Sequence, residues 1–222
     1  MPGPRNSDWV DAFGHLGVTE AFYLAPLDNL DSILTNGVLP QTEVNRRGLV
    51  HSDISEPTVQ VRRDQRDLRS GRISSRGLHD FVPLYFARKT PMSFVRQDRN
   101  SDLCILVIDI AKACHTADEL HFSDGNAASH DSEIYSDPAE LEEHLPLQVI
   151  RAPYWTNFAD GRRRRCAELL VHPSVPIRAI RIIEIAGGRN QPLVKAAIKR
   201  AQANQPVDWI CECTVSPWAF FT

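Results

Sequence analysis

The sequence contains no long apolar run. Its longest apolar stretch, from Leu103 to Ala111, is interrupted by Asp109 and is too short to cross a bilayer. The first residues, Met1 to Arg5, contain no apolar signal core. Because of these two absences, we expect no membrane contact.

The 222 residues are enough for one compact domain or at most two small ones, and we expect a single domain over 1–222.

Cysteine pairs and metal-binding patterns are also scarce. The five cysteines are an odd number, so a disulfide framework is not expected and the cytoplasm is the predicted compartment. Cys211 and Cys213 are separated by one residue, a poor spacing for structural zinc, and we expect no metal. Glycine-rich phosphate loops, dinucleotide fingerprints, zinc-protease motifs and hydrolase nucleophile elbows are all missing. The common enzyme classes built on those motifs are therefore excluded.

Lysine is rare, and arginine provides 21 of the 25 basic residues. Arginine has a planar fork that matches phosphate, so this bias points to phosphate or nucleic acid. The charges are also unevenly distributed: residues 46–99 hold 12 basic and 6 acidic residues, whereas 102–143 hold 11 acidic and one basic residue. A mixed solvated surface and a basic cleft for an anionic polymer both fit this pattern.

The hydrophobic pattern mixes strands and helices without a regular alternation. This arrangement predicts an α+β fold rather than a doubly wound one. Residues 41–80 hold no long periodic pattern, and we predict a long, arginine-rich ordered loop with short helical pieces. We predict strands at 21–24, 81–86, 103–110, 166–171, 177–185 and 207–215, and helices at 26–36, 90–97 and 191–202 and after Asp137.

The run Arg162 to Arg165 is followed by Glu168 on an apolar strand. If Glu168 points outward, it is an ordinary solvated charge. If it points inward, an unpaired carboxylate is costly to bury and needs a chemical reason, such as a base or a stabiliser of a developing cation. The residues alone leave both interpretations open.

Two further constellations carry possible chemistry. His79 and Asp80 stand at a strand entrance, where such a pair is either catalytic or a turn that satisfies its own backbone. The arginines of 59–66 are either solvated or bind an anionic group. Tyr85 offers a ring to the core, to a base or to a nicotinamide.

Taken together, these pieces resemble, in order, the DarT family of DNA ADP-ribosyltransferase toxins. The most specific segment is the HDFVPLYF block with Pro-Met after it, and the resemblance extends over nearly the whole chain. The matching segments are 22–30 with Ile33, Leu34 and Gly37, then 59–63, 78–87, 90–92, 124–127, 162–171 and 218–221.

The resemblance implies an ADP-ribosyltransferase fold, a split antiparallel β-sandwich with flanking helices and NAD in the cleft between its halves. It implies transfer of ADP-ribose from NAD to a base in single-stranded DNA, with thymine as the favoured acceptor and guanine as the other candidate. It also implies a toxin whose partner is a macrodomain antitoxin.

The resemblance also assigns residues by position. Glu168 is implied as the catalytic glutamate, which steadies a cationic ribose and helps take a proton from the base. The catalytic arginine is implied at Arg62 or Arg63, with Arg66 as a third option. The implied cofactor-binding residues are Tyr23, Ala25, Asn29, Tyr85 and Arg66. The implied DNA-binding residues are Met92, Arg162, Asn126 and His79.

The first strand departs from the family pattern. Family members commonly have a histidine, a threonine and a histidine where this chain has Tyr23, Ala25 and Pro26. Tyr23 keeps a hydroxyl that can form a hydrogen bond, but Ala25 cannot form one through its side chain. Two other functions therefore stay open: a nucleic-acid-binding relative without transferase activity, whose pocket would lack an arginine–glutamate pair, and a transferase that acts on RNA or protein.

Overall fold

The computed structural model describes residues 3–66, 68, 73–204 and 209–221. Within these ranges, no helix is long and apolar enough to cross a membrane. The predicted last strand begins at Val207, outside the described residues, and the observed strand covers Glu212–Val215.

The helices and strands follow the predicted mixture. The strands are β1 Glu20–Pro26, β2 Val82–Tyr85, β3 Leu103–Asp109, β4 Glu119–Ser123, β5 Ile134–Tyr135, β6 Glu168–His172, β7 Ile180–Ile185 and β8 Glu212–Val215. The α-helices are α1 Asn6–His15, α2 Leu30–Asn36, α3 Gln41–Arg46, α4 Pro57–Gln65, α5 Pro91–Val95, α6 Ile110–His115, α7 Leu141–His144, α8 Leu147–Arg151, α9 Gly161–Arg164 and α10 Gln191–Gln202. Short 3-10 turns cover Leu27–Asn29, Leu78–Asp80, Gln97–Asp102, Pro138–Glu140, Trp155–Asn157, Ile177–Ala179, Gly188–Asn190 and Pro217–Ala219.

Local sequence signals explain where several of these elements begin. Thr90 caps α5 through its side chain, which accepts a hydrogen bond from the Ser93 amide, and Pro91 occupies the first turn. The run Leu103–Asp109 is rich in β-branched residues and is buried on both faces, as predicted. Residues 177–179 form a 3-10 turn instead of the predicted strand, and β7 starts only at Ile180.

The strands form one sheet in the order β5-β4-β6-β2-β1-β3-β7-β8. All neighbouring pairs are antiparallel except β7 and β8, which are parallel. The α+β fold class is confirmed. β1 pairs with β3 over its whole length but pairs with β2 only at Phe22 and Tyr85. The sheet is therefore split between β1 and β2, and the two strands diverge on either side of one opening.

The main hydrophobic core covers one face of this sheet and includes Trp9, Phe13 and Phe122. Among the described residues between 41 and 80, α3, α4 and the turn Leu78–Asp80 are the short helical pieces that the sequence predicts. Apolar packing helps to place these pieces, because Leu68 and Leu78 are 1% exposed and pack with Phe81, Ile134 and Leu170 in a second, smaller core. The buried residue of α4 is Arg63, and its polar contact helps to build the site.

Candidate active site

A cavity of about 770 Å³ opens at the split between β1 and β2. Strand residues form one wall, among them Tyr23, Tyr85 and Glu168, and α4 and α5 contribute the opposite wall. The volume lies in the range of sites that bind small molecules and nucleotide cofactors. The split in the sheet thus places side chains from strands that are distant in sequence around one space.

A buried ion pair joins the two walls. The Arg63 guanidinium donates a hydrogen bond of 3.0 Å from Nη1 to Glu168 Oε2, and the two side chains are 8% and 2% exposed. Burying either charge alone is costly, and each charge here compensates the other. Glu168 therefore points inward, and the outward interpretation of the sequence is wrong. Of the three arginines that the sequence leaves open, Arg63 is the one in contact with Glu168.

Local structure fixes both members of this pair. Glu168 is the first residue of β6, and its backbone amide donates to the Ser123 hydroxyl at 3.1 Å. Arg63 lies in the last turn of α4, a helix that Pro57 starts at its first turn. Arg62, one residue earlier, is exposed at the cavity and donates from Nε to the Thr58 carbonyl at 3.2 Å.

Two tyrosines flank the ion pair. Burial raises the pKa of Tyr23, and burial together with the Glu168 charge raises the pKa of Tyr85 well above its usual value. Both hydroxyls therefore stay protonated, and that of Tyr85 donates to the Met92 sulfur at 3.3 Å. The Cys166 thiol also lines the cavity, and burial raises its pKa to about 12, so it remains a neutral wall residue.

Polar anchors hold residues 51–56 over the cavity. The Asn29 amide donates to the Ser52 carbonyl at 2.8 Å, and the Ser52 amide donates to Asn29 Oδ1 at 2.8 Å. Arg96 donates to the carbonyls of Ile54 and Ser55 at 2.9 and 3.1 Å. Asn29 thus lines the cavity as expected and also holds the loop. Arg96 carries no sequence signal that distinguishes it from the other arginines.

Two residues predicted to bind the cofactor lie elsewhere. Ala25 is 1% exposed and packs in the main core, so its side chain does not reach the cavity. Arg66 donates to the carbonyls of Ser129 and Ser132 at 2.9 and 2.6 Å. Its guanidinium fastens two loops together and does not line the cavity. Ala25 lies on the same face of β1 as Tyr23, but its methyl group is covered by the main core, and the Arg66 guanidinium is engaged by the carbonyls. The structure therefore does not bring either side chain to the cavity.

Of the predicted DNA-binding residues, Met92, Asn126, His79 and Arg162 all line the cavity. His79 Nε2 lies 3.1 Å from Asp64 Oδ1, while Asp80 instead accepts a hydrogen bond of 2.8 Å from the Gly77 amide. The pair His79–Asp80 is therefore no catalytic dyad, and Asp80 caps its own turn. Asn126 Oδ1 accepts from the Ala128 amide at 2.9 Å and so orders its loop.

The arginine run does not form one basic surface. Arg162 is exposed and lines the cavity, whereas Arg163 binds Asp124 and Asp160. Arg165 is 6% exposed, and its guanidinium donates to four backbone carbonyls. They belong to Lys89, Val149, Ile150 and Ala152. In the part of the chain that the structure describes, no group of three His, Cys, Asp or Glu residues is arranged to hold a metal ion.

The structure is an α+β fold with a cavity at the split of its sheet and a buried arginine–glutamate pair in the cavity wall, and comparison with known proteins identifies its family. A family model described as "ssDNA thymidine ADP-ribosyltransferase, DarT" matches residues 22–210. The chain belongs to this family, and the resemblance found in the sequence is confirmed.

Two similar proteins come from Thermosipho africanus and from Thermus sp. 2.9. A DNA ADP-ribosyl transferase–glycohydrolase fusion protein of Thermosipho africanus is 28% identical over 184 residues, which are 81% of this chain and 45% of the fusion. This chain thus spans about half of that relative. A DNA ADP-ribosyl transferase of Thermus sp. 2.9 is 24% identical over 85% of this chain and 91% of its own length.

Solved structures share the fold. DarTG of Thermosipho africanus in complex with ADP-ribose has a TM-score of 0.76 and 26% identity, over 91% of this chain and 51% of that chain. DarT of Thermus sp. 2.9 in complex with ADP-ribosylated single-stranded DNA has a TM-score of 0.77 and 22% identity, over 92% of this chain and 97% of that chain.

Proposed function

We propose that this chain transfers ADP-ribose from NAD to a thymidine base in single-stranded DNA. The observation that carries the proposal is the buried pair of Arg63 and Glu168 at the wall of the cavity. A nucleic-acid-binding relative without transferase activity has no need of a buried carboxylate beside the anionic groups it binds. Family membership supports thymidine as the acceptor, with guanine as the second candidate.

The reaction exchanges one bond for another. The bond between the ribose anomeric carbon and the nicotinamide nitrogen breaks, and nicotinamide leaves with the electron pair as a neutral molecule. A bond forms between the same carbon and a base nitrogen, and that nitrogen loses its proton. In thymidine the ring nitrogen that is not attached to deoxyribose carries a proton, so a base is needed and no oxidant or reductant takes part.

The cavity residues fit these demands. Glu168 provides a buried carboxylate that stabilises positive charge on the ribose and accepts the proton of the base. Arg63 holds that carboxylate and polarises a carbonyl oxygen of the base. Its contact with Glu168 supports Arg63 rather than Arg62 as the proposed catalytic arginine. Tyr23, Tyr85 and Asn29 form the side proposed for NAD.

The DNA side of the cavity is proposed for Met92, Arg162, Asn126 and His79. Arg162 is the best suited of these to a phosphate, because it is exposed and has no ion pair within the described ranges. We also assign the whole of 1–222 to one transferase domain, supported by the single eight-stranded sheet to which all the observed strands belong.

The biological setting is part of the proposal. The chain acts as a toxin, and its partner is a macrodomain antitoxin that removes the modification. The Thermosipho africanus relative supports this partner, because it joins a transferase to a DNA ADP-ribosyl glycohydrolase. The cytoplasm is the proposed compartment, supported by five free cysteines.

The test is label transfer from NAD. The purified protein is incubated with NAD labelled in its ADP-ribose part and with single-stranded oligonucleotides that contain all bases, lack thymine or lack guanine. Duplex DNA, RNA and protein are tested in parallel. We expect label only on thymine-containing single strands, and mass spectrometry of the nucleosides to identify the modified base. Label confined to RNA or protein would contradict the proposed substrate.

A further inference from the structure

Large aromatic side chains lie exposed outside the cavity. Phe94 is 48% exposed and Tyr154 is 68% exposed. Phe94 meets Trp155 and Phe221 edge to face, with centroid distances of 6.4 and 5.3 Å, and Trp155 meets Phe221 at 5.6 Å. We call these four residues the aromatic ridge. It joins three separate parts of the chain and includes Phe221 of the segment 218–221, to which the proposed reaction gives no role.

The ridge borders the rim of the cavity on two sides. On α5, Met92 and Val95 line the cavity, while Phe94 between them joins the ridge. On α9, Arg162 lines the cavity, and its neighbour Gly161 packs so tightly on the turn Trp155–Asn157 that a Cβ would overlap the Trp155 carbonyl. The ridge is therefore adjacent in the chain to residues of the cavity rim, and the close contact at Gly161 holds the turn Trp155–Asn157 beside α9.

Positive charge accompanies the rings. Lys89 Nζ lies 5.2 Å from the centroid of Phe221, and Arg162 is exposed at the rim. The carboxylate of Asp160, which follows the ridge in the chain, is engaged by Arg163. Exposed rings with cations beside them are the features with which proteins bind unpaired nucleotides, because bases stack on the rings and phosphates meet the cations.

We propose that the aromatic ridge binds the nucleotides next to the target thymidine by stacking on their bases. This inference rests on the proposed function, since the target base must enter the cavity and its strand must leave over the rim. Every base has a π-face, so the ridge adds affinity with little sequence preference. Bases inside a duplex are not free to stack in this way, and the ridge thus favours single strands.

The test compares short and long DNA. Fluorescence anisotropy without NAD measures the affinity of a short thymidine oligonucleotide and of the same oligonucleotide extended on its 5′ or its 3′ side. For the unchanged protein, we expect extension on one side to raise the affinity, and we call the ratio of the two affinities the gain. In Phe94→Ala and Tyr154→Ala we expect the gain to fall about tenfold, which corresponds to the loss of one stacked base. Phe94→Tyr keeps a ring and should keep the gain.

Leu193→Ala is the matched control, because Leu193 is also a large exposed apolar residue, 55% exposed, but lies on α10. It should leave the gain unchanged. An equal gain in the ridge variants and the unchanged protein would overturn the inference and leave the ridge as a protein contact. Label transfer is measured separately, so failure of the proposed transfer is distinguished from failure of the ridge.

Discussion

Two arginine-rich segments meet near the cavity, and they use their arginines in opposite ways. In α4, Arg63 is buried and ends on the Glu168 carboxylate, whereas Arg62 is exposed at the rim. In the run that includes α9, Arg165 is also buried, but it ends on four backbone carbonyls, and Arg162 is exposed at the rim. Each segment thus contains one buried and one exposed arginine, and the second segment also contains two half-buried ones.

The partner of the buried arginine separates chemistry from architecture. Arg165 donates to the carbonyls of Val149, Ile150 and Ala152 and so fastens this stretch of chain, and its side chain does not line the cavity. The carboxylate held by Arg63 lines the wall of the cavity and is the group that we propose as the base. Burial alone therefore does not identify a catalytic arginine, and the comparison suggests four substitutions that separate the two uses.

Glu168→Gln should have the largest effect. It keeps the shape of the side chain and removes its charge and basicity, so we expect transfer to fall by about 10³-fold or more. Label transfer measures the loss, and thermal unfolding checks that the fold is retained. The control is Glu184→Gln, because Glu184 is 3% exposed and paired with Arg88 at 2.9 Å, outside the cavity. Equal losses in both variants would show that any buried pair is needed for the fold.

Arg165→Gln should act on stability. The change leaves buried carbonyls without their donor, and we expect the free energy of unfolding to fall by about 3 kcal/mol. Urea denaturation measures this, with Arg164→Gln as the control because Arg164 is half-buried beside it. The rate of transfer per folded molecule should stay close to that of the unchanged protein. A stable but inactive Arg165→Gln variant would contradict this expectation and would give Arg165 a role in the chemistry.

Arg63→Lys keeps the charge and removes the fork. We expect transfer to fall roughly 10²-fold, because a single ammonium does not hold Glu168 and the base together. The same change at Arg62 should cost less, since Arg62 is exposed and contacts only a carbonyl of its own helix within the described ranges. Steady-state kinetics with saturating NAD decide between the two, and a greater loss at Arg62 would reverse the assignment made from the geometry.

The sequence predicts elements that follow from local rules and misses contacts that depend on the sheet. β3, α10 and the cap at Thr90 are predicted because apolar period and capping chemistry are local. The inward direction of Glu168 depends on Arg63, which is 105 residues away in the chain. No periodicity connects two such positions, and only the resemblance to a family proposed them together.

The arginines show the same limit. Arg162 to Arg165 are four adjacent cations in the sequence, yet the acids that neutralise Arg163 include Asp124, which is 39 residues away. Arg66 and Arg165 are occupied by carbonyls, and carbonyls carry no sequence signal at all. The arginine-rich composition thus predicts an anionic ligand. The folded loops determine which arginines are left to bind it, because their carbonyls and carboxylates engage the others.

Arg162→Gln should have the smallest effect and should act on binding. Arg162 is exposed, so we expect its removal to weaken the binding of single-stranded DNA by a few-fold, to a similar extent for all sequences. The slope of log affinity against log salt concentration should fall by about one unit. Anisotropy at several salt concentrations measures the slope. Arg163→Gln is the contrasting variant, because Arg163 is neutralised by Asp124 and Asp160 and should leave the slope unchanged. A lower slope in Arg163→Gln alone would mean that the phosphates displace its carboxylate partners, and the DNA path would then follow the neutralised arginine.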